Sequence, residues 1–332
     1  MTKKITVSKP VVDRIAYVLP LPNREYVINP MIQRLERLIA SLEGRVEIRG
    51  GRHYQSSFRI NTSGGSCFVQ LLSKSPRAKG GLRVELNPAR FSASDIEYFH
   101  KILGKVVGTD YEHLNSRPII NRIDFAVDVH NVEMEHLLVT YQNNRRLTMF
   151  GKRSDRMQSI ESMYFGSVDS GYRAVVYDKR IERVHASAVV LAKTDPKTCT
   201  EALVNNRISR LMDAFTEKPY IRIEVRCQIN GKSPLELSEL PNRFARFTIC
   251  DIGSDEYELE DWLYEGFVAI CQSKGVKAAL ATYDDSPHKK TVRTFWESAR
   301  VDWWQPKDMW QEGCQALQNC GLFPESVFSA TS

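Results

Sequence analysis

The chain has 332 residues, of which 46 are Lys or Arg and 40 Asp or Glu, giving a formal charge of +6 with 42% hydrophobic and 26% charged residues. These proportions exclude a disordered chain, a fibrous repeat and a small stapled scaffold, and at about 100–200 residues per domain they leave room for roughly two domains. Seven cysteines without a C-x-x-C pair exclude a disulfide framework and a zinc ribbon, and the positive balance permits a polyanionic partner without requiring one.

Residues 11–20 read as a strand, because β-branched and aromatic side chains dominate and Pro20 stops it. A helix is predicted over 29–43, with Asn29 as its cap, Pro30 in its first turn and Ile32, Leu35, Leu38, Ile39 and Leu42 forming one apolar stripe. Strands near 52–61, 66–73 and 81–87 follow. A second helix over 92–107 opens at Ser92 or Ser94 and carries Ile96, Phe99, Ile102 and Leu103 at helical spacing. The order then restarts with a strand over 119–130, a helix over 132–142, strands over 146–151, 160–166 and 172–179, and a closing strand over 220–228. An insert at 184–218 holds a helix through Leu203, Arg207, Ile208 and Leu211. Three helices, near 257–273, 288–300 and 306–319, occupy the remainder, where all five tryptophans lie.

The opening strands resemble each other, Val12-Asp-Arg-Ile-Ala-Tyr-Val18 against Ile120-Asn-Arg-Ile-Asp-Phe-Ala126, as do Leu82-Arg-Val-Glu85 and Ile221-Arg-Ile-Glu224. The expected fold is therefore α+β: two related halves of antiparallel sheet with packed helices, at 1–115 and 116–240, followed by a mainly helical C-terminal region at 241–332. The first ten residues lack the apolar stretch of a signal peptide, and no run approaches the roughly 18 apolar residues of a membrane span, so a cytoplasmic protein without membrane contact is expected.

Alternate residues of a strand share a face. That rule puts Arg83 and Glu85 opposite Leu82, Val84 and Leu86; Arg122, Asp124 and Asp128 opposite Ile123, Phe125 and Val127; and Arg222, Glu224 and Arg226 opposite Ile221, Ile223 and Val225. Over 172–179 the faces are mixed, with Arg173, Tyr177 and Lys179 on one side and Tyr172 and Asp178 on the other. Carboxylates, guanidiniums, a tyrosine and a lysine gathered on one sheet face suit phosphodiester chemistry: hard oxygens hold Mg²⁺ or Mn²⁺, cations offset phosphate charge and a phenol supplies a nucleophile. A half-exposed antiparallel sheet whose Arg and Glu pair across strands explains the same pattern. The seven histidines form no zinc motif, and Gly64-Gly65 and Gly80-Gly81 match neither a P-loop nor a dinucleotide fingerprint, so they read as turns. Lys74, Arg77, Lys79 and Arg83 around the second pair suit a hairpin tip that touches phosphate backbone or is merely solvated, and the same two readings apply to Lys289, Lys290 and Arg293.

In order and approximate spacing, Leu82-Arg-Val-Glu-Leu-Asn-Pro88, Asn121-Arg-Ile-Asp-Phe-Ala-Val-Asp128, Tyr164-Phe-Gly-Ser-Val-Asp-Ser170 with Val176-Tyr-Asp-Lys-Arg-Ile-Glu182, and Ile221-Arg-Ile-Glu-Val225 resemble replication initiation factors of the Rep_trans type. The resemblance covers about residues 80–230 and implies a rolling-circle initiator that nicks one strand of origin DNA, stays attached to the 5′ phosphate through a tyrosine and frees a 3′ hydroxyl. It puts the nucleophile on Tyr177, with Lys179 or Arg173 lowering its pKa or orienting the phosphate, and Asp124, Glu85 and Glu224 as ligands of Mg²⁺ or Mn²⁺. Glu182 is a further acid, at the metal or as a proton acceptor, while Tyr164 and Tyr172 are rival phenols that read more simply as packing aromatics. The implied partners are duplex and single-stranded origin DNA, a host helicase and polymerase, and a second copy in a homodimer. A conjugative relaxase with the same chemistry and an inactive origin-binding regulator are the alternatives. The segment from His185 to Lys218 is longer than in the plasmid initiators of this family, and the region after Pro241 shows no match to it.

Overall fold

A computed structural model describes residues 4–39, 46–49, 53–75, 78, 80–142, 148–152, 159–167, 170–195, 199–253 and 259–329. In chain order the elements begin with β1 (Thr6–Val7), β2 (Val11–Leu19), α1 (Glu25–Ile39), β3 (Val46–Arg49), β4 (Tyr54–Asn61), β5 (Ser66–Ser73), β6 (Leu82–Leu86), α2 (Ala93–Val107) and α3 (Tyr111–Asn115). They continue with β7 (Ile119–His130), β8 (Leu137–Tyr141), β9 (Met149–Lys152), β10 (Ile160–Phe165), β11 (Ala174–Asp178), α4 (Lys179–Ala192), α5 (Glu201–Thr216) and β12 (Tyr220–Lys232). Last come β13 (Phe247–Asp251), α6 (Asp261–Lys274), α7 (Val276–Thr282), α8 (Lys289–Ser298) and α9 (Pro306–Asn319). The protein is α+β, with a large antiparallel sheet and a helical C-terminal region. Among the described residues no helix is long and apolar enough to cross a membrane.

The chain forms two compact units built from non-contiguous segments. The first comprises Pro10–Ala126, Arg226–Pro241 and Trp310–Ser332; the second comprises Met1–Lys9, Val127–Val225 and Asn242–Met309. The long strands β7 and β12 each contribute to both.

In the first unit the antiparallel ladder runs β3-β4-β5-β6-β2-β7. One face is apolar: Ile15, Tyr17, Leu19, Leu82, Val84 and Ile123 are buried, and α1 packs on α2 and on β5. Phe323 meets the edge of Tyr17 at 4.9 Å and Trp310 the edge of Phe125 at 5.3 Å, so the last segment of the chain belongs to this core. Helix α2 starts at a capping box in which Ser92 and Asp95 satisfy each other's backbone N–H. Helix α1 begins at Glu25, not 29, because the Arg24 carbonyl accepts from Val27 and Ile28 and closes a turn ahead of Pro30. Pro30 then lies inside the helix on an exposed position, where water can satisfy the carbonyl that its missing N–H leaves free. Residues 40–43 of the predicted helix lie outside the described residues, as do Pro76, Arg77 and Lys79 of the predicted basic tip.

In the second unit β12, β11, β10 and β9 pair antiparallel in that order, and β1 pairs with β7. The buried underside carries Met163, Phe165, Ala174, Val176, Ile221 and Ile223. Phe165 packs at 5.9 Å from Tyr141 and 6.0 Å from Phe247, so the separate two-stranded sheet β8–β13 covers this underside. On the other side of that small sheet, Leu138 and Cys250 enter a core with Leu263, Phe267, Phe295 and Trp296 of α6 and α8. This layering corrects the helix predicted over 132–142, which is a short 3-10 turn at Met134–His136 followed by β8. Leu137-Leu-Val-Thr-Tyr141 is buried on both faces, and a continuous apolar run carries no period that separates strand from helix. Strand β13, Phe247-Thr-Ile-Cys-Asp251, is a further strand that the sequence pattern does not predict, being only five residues long. The insert is a helical pair, α4 against α5, and α4 begins at Lys179, where the sequence pattern extended the strand.

Candidate active site

The register of β10, β11 and β12 brings the predicted residues of the second unit to one face. Tyr177 lies opposite Ser162 and Arg222, and Val175 opposite Tyr164 and Glu224, so all six side chains point away from the apolar underside. The Tyr177 hydroxyl donates to the Glu224 carboxylate at 2.5 Å. The Lys179 ammonium donates to the same phenol oxygen at 3.3 Å and to Glu182 at 2.7 Å. Arg222 makes a two-pronged contact with Asp128, at 2.6 and 2.7 Å, a geometry that fixes the guanidinium plane beside the phenol.

Local chain geometry explains why these groups meet. Strand β11 stops at Asp178, whose carboxylate caps α4 by accepting from the Ile181 N–H at 2.9 Å. The next residue, Lys179, and Glu182 one turn later fall on the helix face that looks back at the strand end. Only 8% of Lys179 is exposed, and a buried ammonium needs anionic or dipolar neighbours; Glu182 and the phenol supply them. The phenol itself is half-buried. Burial, followed by the charge and hydrogen bond of Glu224, pushes its pKa well above the ordinary value, and Arg222 offsets only part of that. At rest Tyr177 is a neutral phenol already pointed at a proton acceptor, with a cation at its oxygen. A phenol so placed can pass its proton to the neighbouring carboxylate.

The first unit holds the other acidic candidates in a different state. Asp124, 6% exposed, accepts from the Arg122 Nε at 2.9 and 3.1 Å and from its Nη2, with the Arg226 guanidinium 3.9 Å away. Burial raises the Asp124 pKa, and Arg122 and Arg226 counter only part of the rise. Glu85 pairs with Arg83 at 2.5 Å and with Arg14 at 3.3 Å, and Arg14 stands opposite Asp124 in the β2–β7 register. These carboxylates are the oxygen donors that Mg²⁺ or Mn²⁺ prefers, but their lone pairs point at guanidiniums, and among the described residues no group of three His, Cys, Asp or Glu converges. As arranged, with their oxygens engaged by guanidiniums, Asp124 and Glu85 do not fit a divalent ion.

Tyr177, Lys179, Glu182 and Glu224 thus come together. Arg173 shares the face of Tyr177 but stacks on the Tyr164 ring at 4.8 Å, and Asp124 and Glu85 belong to the other unit. The contact of Glu224 with Tyr177 is not visible in the sequence, since alternation gives the face of Glu224 but not its register against β11. The Arg222–Asp128 pair went unassigned although both residues fall on polar faces. In the two basic clusters with a phosphate reading, Arg83 contacts Gln70 and Glu85, and Lys289 and Arg293 pair with Asp284. All seven cysteines are free thiols. Set against models of known protein families and against curated proteins, the chain matches none of either.

Proposed function

We propose that this protein nicks one strand of DNA at a replication origin through covalent catalysis by Tyr177, as an initiator of rolling-circle replication. The observation that carries the reading is the phenol of Tyr177 held 2.5 Å from Glu224 and 3.3 Å from the Lys179 ammonium on a polar sheet face. The sequence resemblance over residues 80–230 supplies the substrate class, and the formal charge of +6 suits a polyanion.

In the proposed step the phenol proton passes to Glu224 as the phenol oxygen bonds to phosphorus. The bond from phosphorus to the 3′ oxygen breaks on the side opposite the phenol, and that oxygen takes up a proton from water. The products are a 5′-phosphotyrosine and a 3′ hydroxyl. Lys179 and Arg222 offset the added charge on the phosphoryl oxygens, and because the linkage keeps the energy of the phosphodiester, a later hydroxyl attack can rejoin the strand.

The test is a denaturing gel of the protein incubated with supercoiled DNA carrying its own replicon region, with and without Mg²⁺ or Mn²⁺. A covalent adduct in the wild type, lost in Tyr177→Phe while DNA binding persists, is the expected result. An undiminished adduct in Tyr177→Phe refutes the nucleophile assignment, and binding without any nick moves the reading to an inactive origin-binding regulator.

A further inference from the structure

A second group of side chains in the same unit has no role in the proposed chemistry. Tyr172, in the turn between β10 and β11, is 48% exposed, and the Arg243 guanidinium lies over its ring at 3.8 Å. Arg246 approaches the same ring at 5.9 Å, and Arg173 covers Tyr164 at 4.8 Å. Arg243 is only 5% exposed, its Nη1 has no hydrogen-bond partner, and among the described residues none of these three arginines is paired with a carboxylate. The Nε of Arg173 is likewise buried without a partner.

A charge removed from water and left without a counter-ion is costly, and the quadrupole of one ring offsets only part of that cost. The arrangement is nevertheless rigid. Phe244, fully buried against Trp304 at 5.6 Å, anchors the turn that carries Arg243 and Arg246, and Asn242 ties it down by donating to the Pro306 carbonyl at 2.7 Å. On the other side Gly166, at φ 87°, lets the chain pass close beneath the Tyr172 carbonyl, where a Cβ would come within 3.1 Å. Guanidiniums with no carboxylate partner among the described residues, held beside the exposed ring of Tyr172 and the half-buried ring of Tyr164, match a ligand that alternates phosphates with unstacked bases.

We propose that Tyr172, Arg173, Arg243 and Arg246 form a subsite for single-stranded DNA at the entry to β11, with a base stacked on the exposed ring of Tyr172, which Arg243 backs, and phosphates on the less buried Arg173 and Arg246. The proposal rests on the DNA-nicking reading for its substrate. Arg173, just ahead of β11, and Tyr177 within it fall on one face four residues apart, about 13 Å at 3.3 Å per residue, a distance that an extended single strand with unstacked bases can bridge.

The test uses the full chain carrying Tyr177→Phe, so that no covalent product forms, and the fluorescence anisotropy of a labelled oligonucleotide, single-stranded and then annealed to its complement. Tyr172→Leu should weaken single-strand binding roughly 5- to 150-fold, while Tyr172→Phe retains it. Arg246→Gln should lower the slope of log affinity against log salt by about 0.7, the release expected for one phosphate contact on a single strand. Both variants alter exposed or half-buried positions, which avoids unfolding through the buried Arg243. Unchanged single-strand affinity in both, or equal losses on duplex and single strand, overturns the proposal. The readouts separate the two readings: an adduct at Tyr177 with binding indifferent to Tyr172 leaves the nicking function standing without this subsite, and Tyr172-dependent binding without any adduct does the reverse.

Discussion

Replacing Glu224 by Gln keeps the size of the side chain and removes its charge, which separates two roles for this residue, proton acceptor or metal ligand. A positioned base contributes on the order of 10²- to 10⁴-fold to a proton-transfer step, about 2.7 to 5.4 kcal/mol of barrier. The 2.5 Å contact with the Tyr177 hydroxyl is short enough for the full effect, so Glu224→Gln should slow nicking by that factor at neutral pH with DNA affinity unchanged. The pH profile is the sharper readout. Burial raises the phenol pKa first and the Glu224 charge raises it next; Gln removes the second cause and leaves the first, so the variant phenol ionises at lower pH than in the wild type yet still above about 10. With no base at hand the variant depends on phenolate formed by solvent, and its rate should climb about tenfold per pH unit across the alkaline range, more steeply than the wild type. Single-turnover nicking of a labelled oligonucleotide, followed from neutral pH upward, reads this directly. Wild-type rate in the Gln variant at neutral pH refutes the acceptor role, and rescue by added Mn²⁺ instead of by alkali returns Glu224 to the metal.

Two further outcomes concern stability. Arg122→Met leaves the buried Asp124 carboxylate without its main partner and should cost about 3–5 kcal/mol in urea unfolding at pH 7. Because the folded pKa of Asp124 is already raised by burial, its native state binds more protons than the unfolded chain in that range, so the loss should shrink as pH falls toward 4; a loss independent of pH would mean that Asp124 is not the group left uncompensated. Asp95 shows the opposite sign: the Ser92 backbone N–H first, then the Ser92 and Ser63 groups, hold its carboxyl down to about 2. Its contribution is complete above the ordinary carboxylate value and is lost as pH falls toward about 2, so Asp95→Asn should destabilise the protein at pH 7 and match the wild type near pH 2, as read by the urea midpoint.

Strands with one wet face were legible because their period of two is a property of neighbouring residues. Arg83 and Glu85 between buried leucines, and Arg222 and Glu224 between buried isoleucines, lie as alternation places them. Ser92 likewise announced α2 through a motif four residues long. Strand β8 is not legible, since it is an apolar run between two apolar layers and shows no alternation, and β13 is too short for its pattern to stand out. Helix α4 was masked by the β-like run that precedes it, and only the Asp178 cap marks the change. Contacts set by register or by distant segments are also silent in the sequence: Tyr177 and Glu224 stand 47 residues apart, and Tyr172 meets Arg243 across a still longer separation.

The same Arg-x-acid alternation has different consequences in the two units, and the partners decide which. Asp124 and Glu85 sit among the guanidiniums of Arg122, Arg226, Arg83 and Arg14, which hold them in ion pairs. Glu224 has a phenol as its partner, and that phenol is held by an ammonium on the first turn of a helix that begins where the strand ends. Substituting a hydroxyl donor for a guanidinium turns a structural ion pair into a proton-transfer pair. Grafting cannot reverse the assignment cheaply: placing a phenol beside Asp124 would leave its arginines in place, whereas removing the Tyr177 hydroxyl leaves Glu224 without its acceptor task. Reactivity on this sheet face is therefore expected to follow Tyr177 and Lys179 rather than the acidic pattern that both units share.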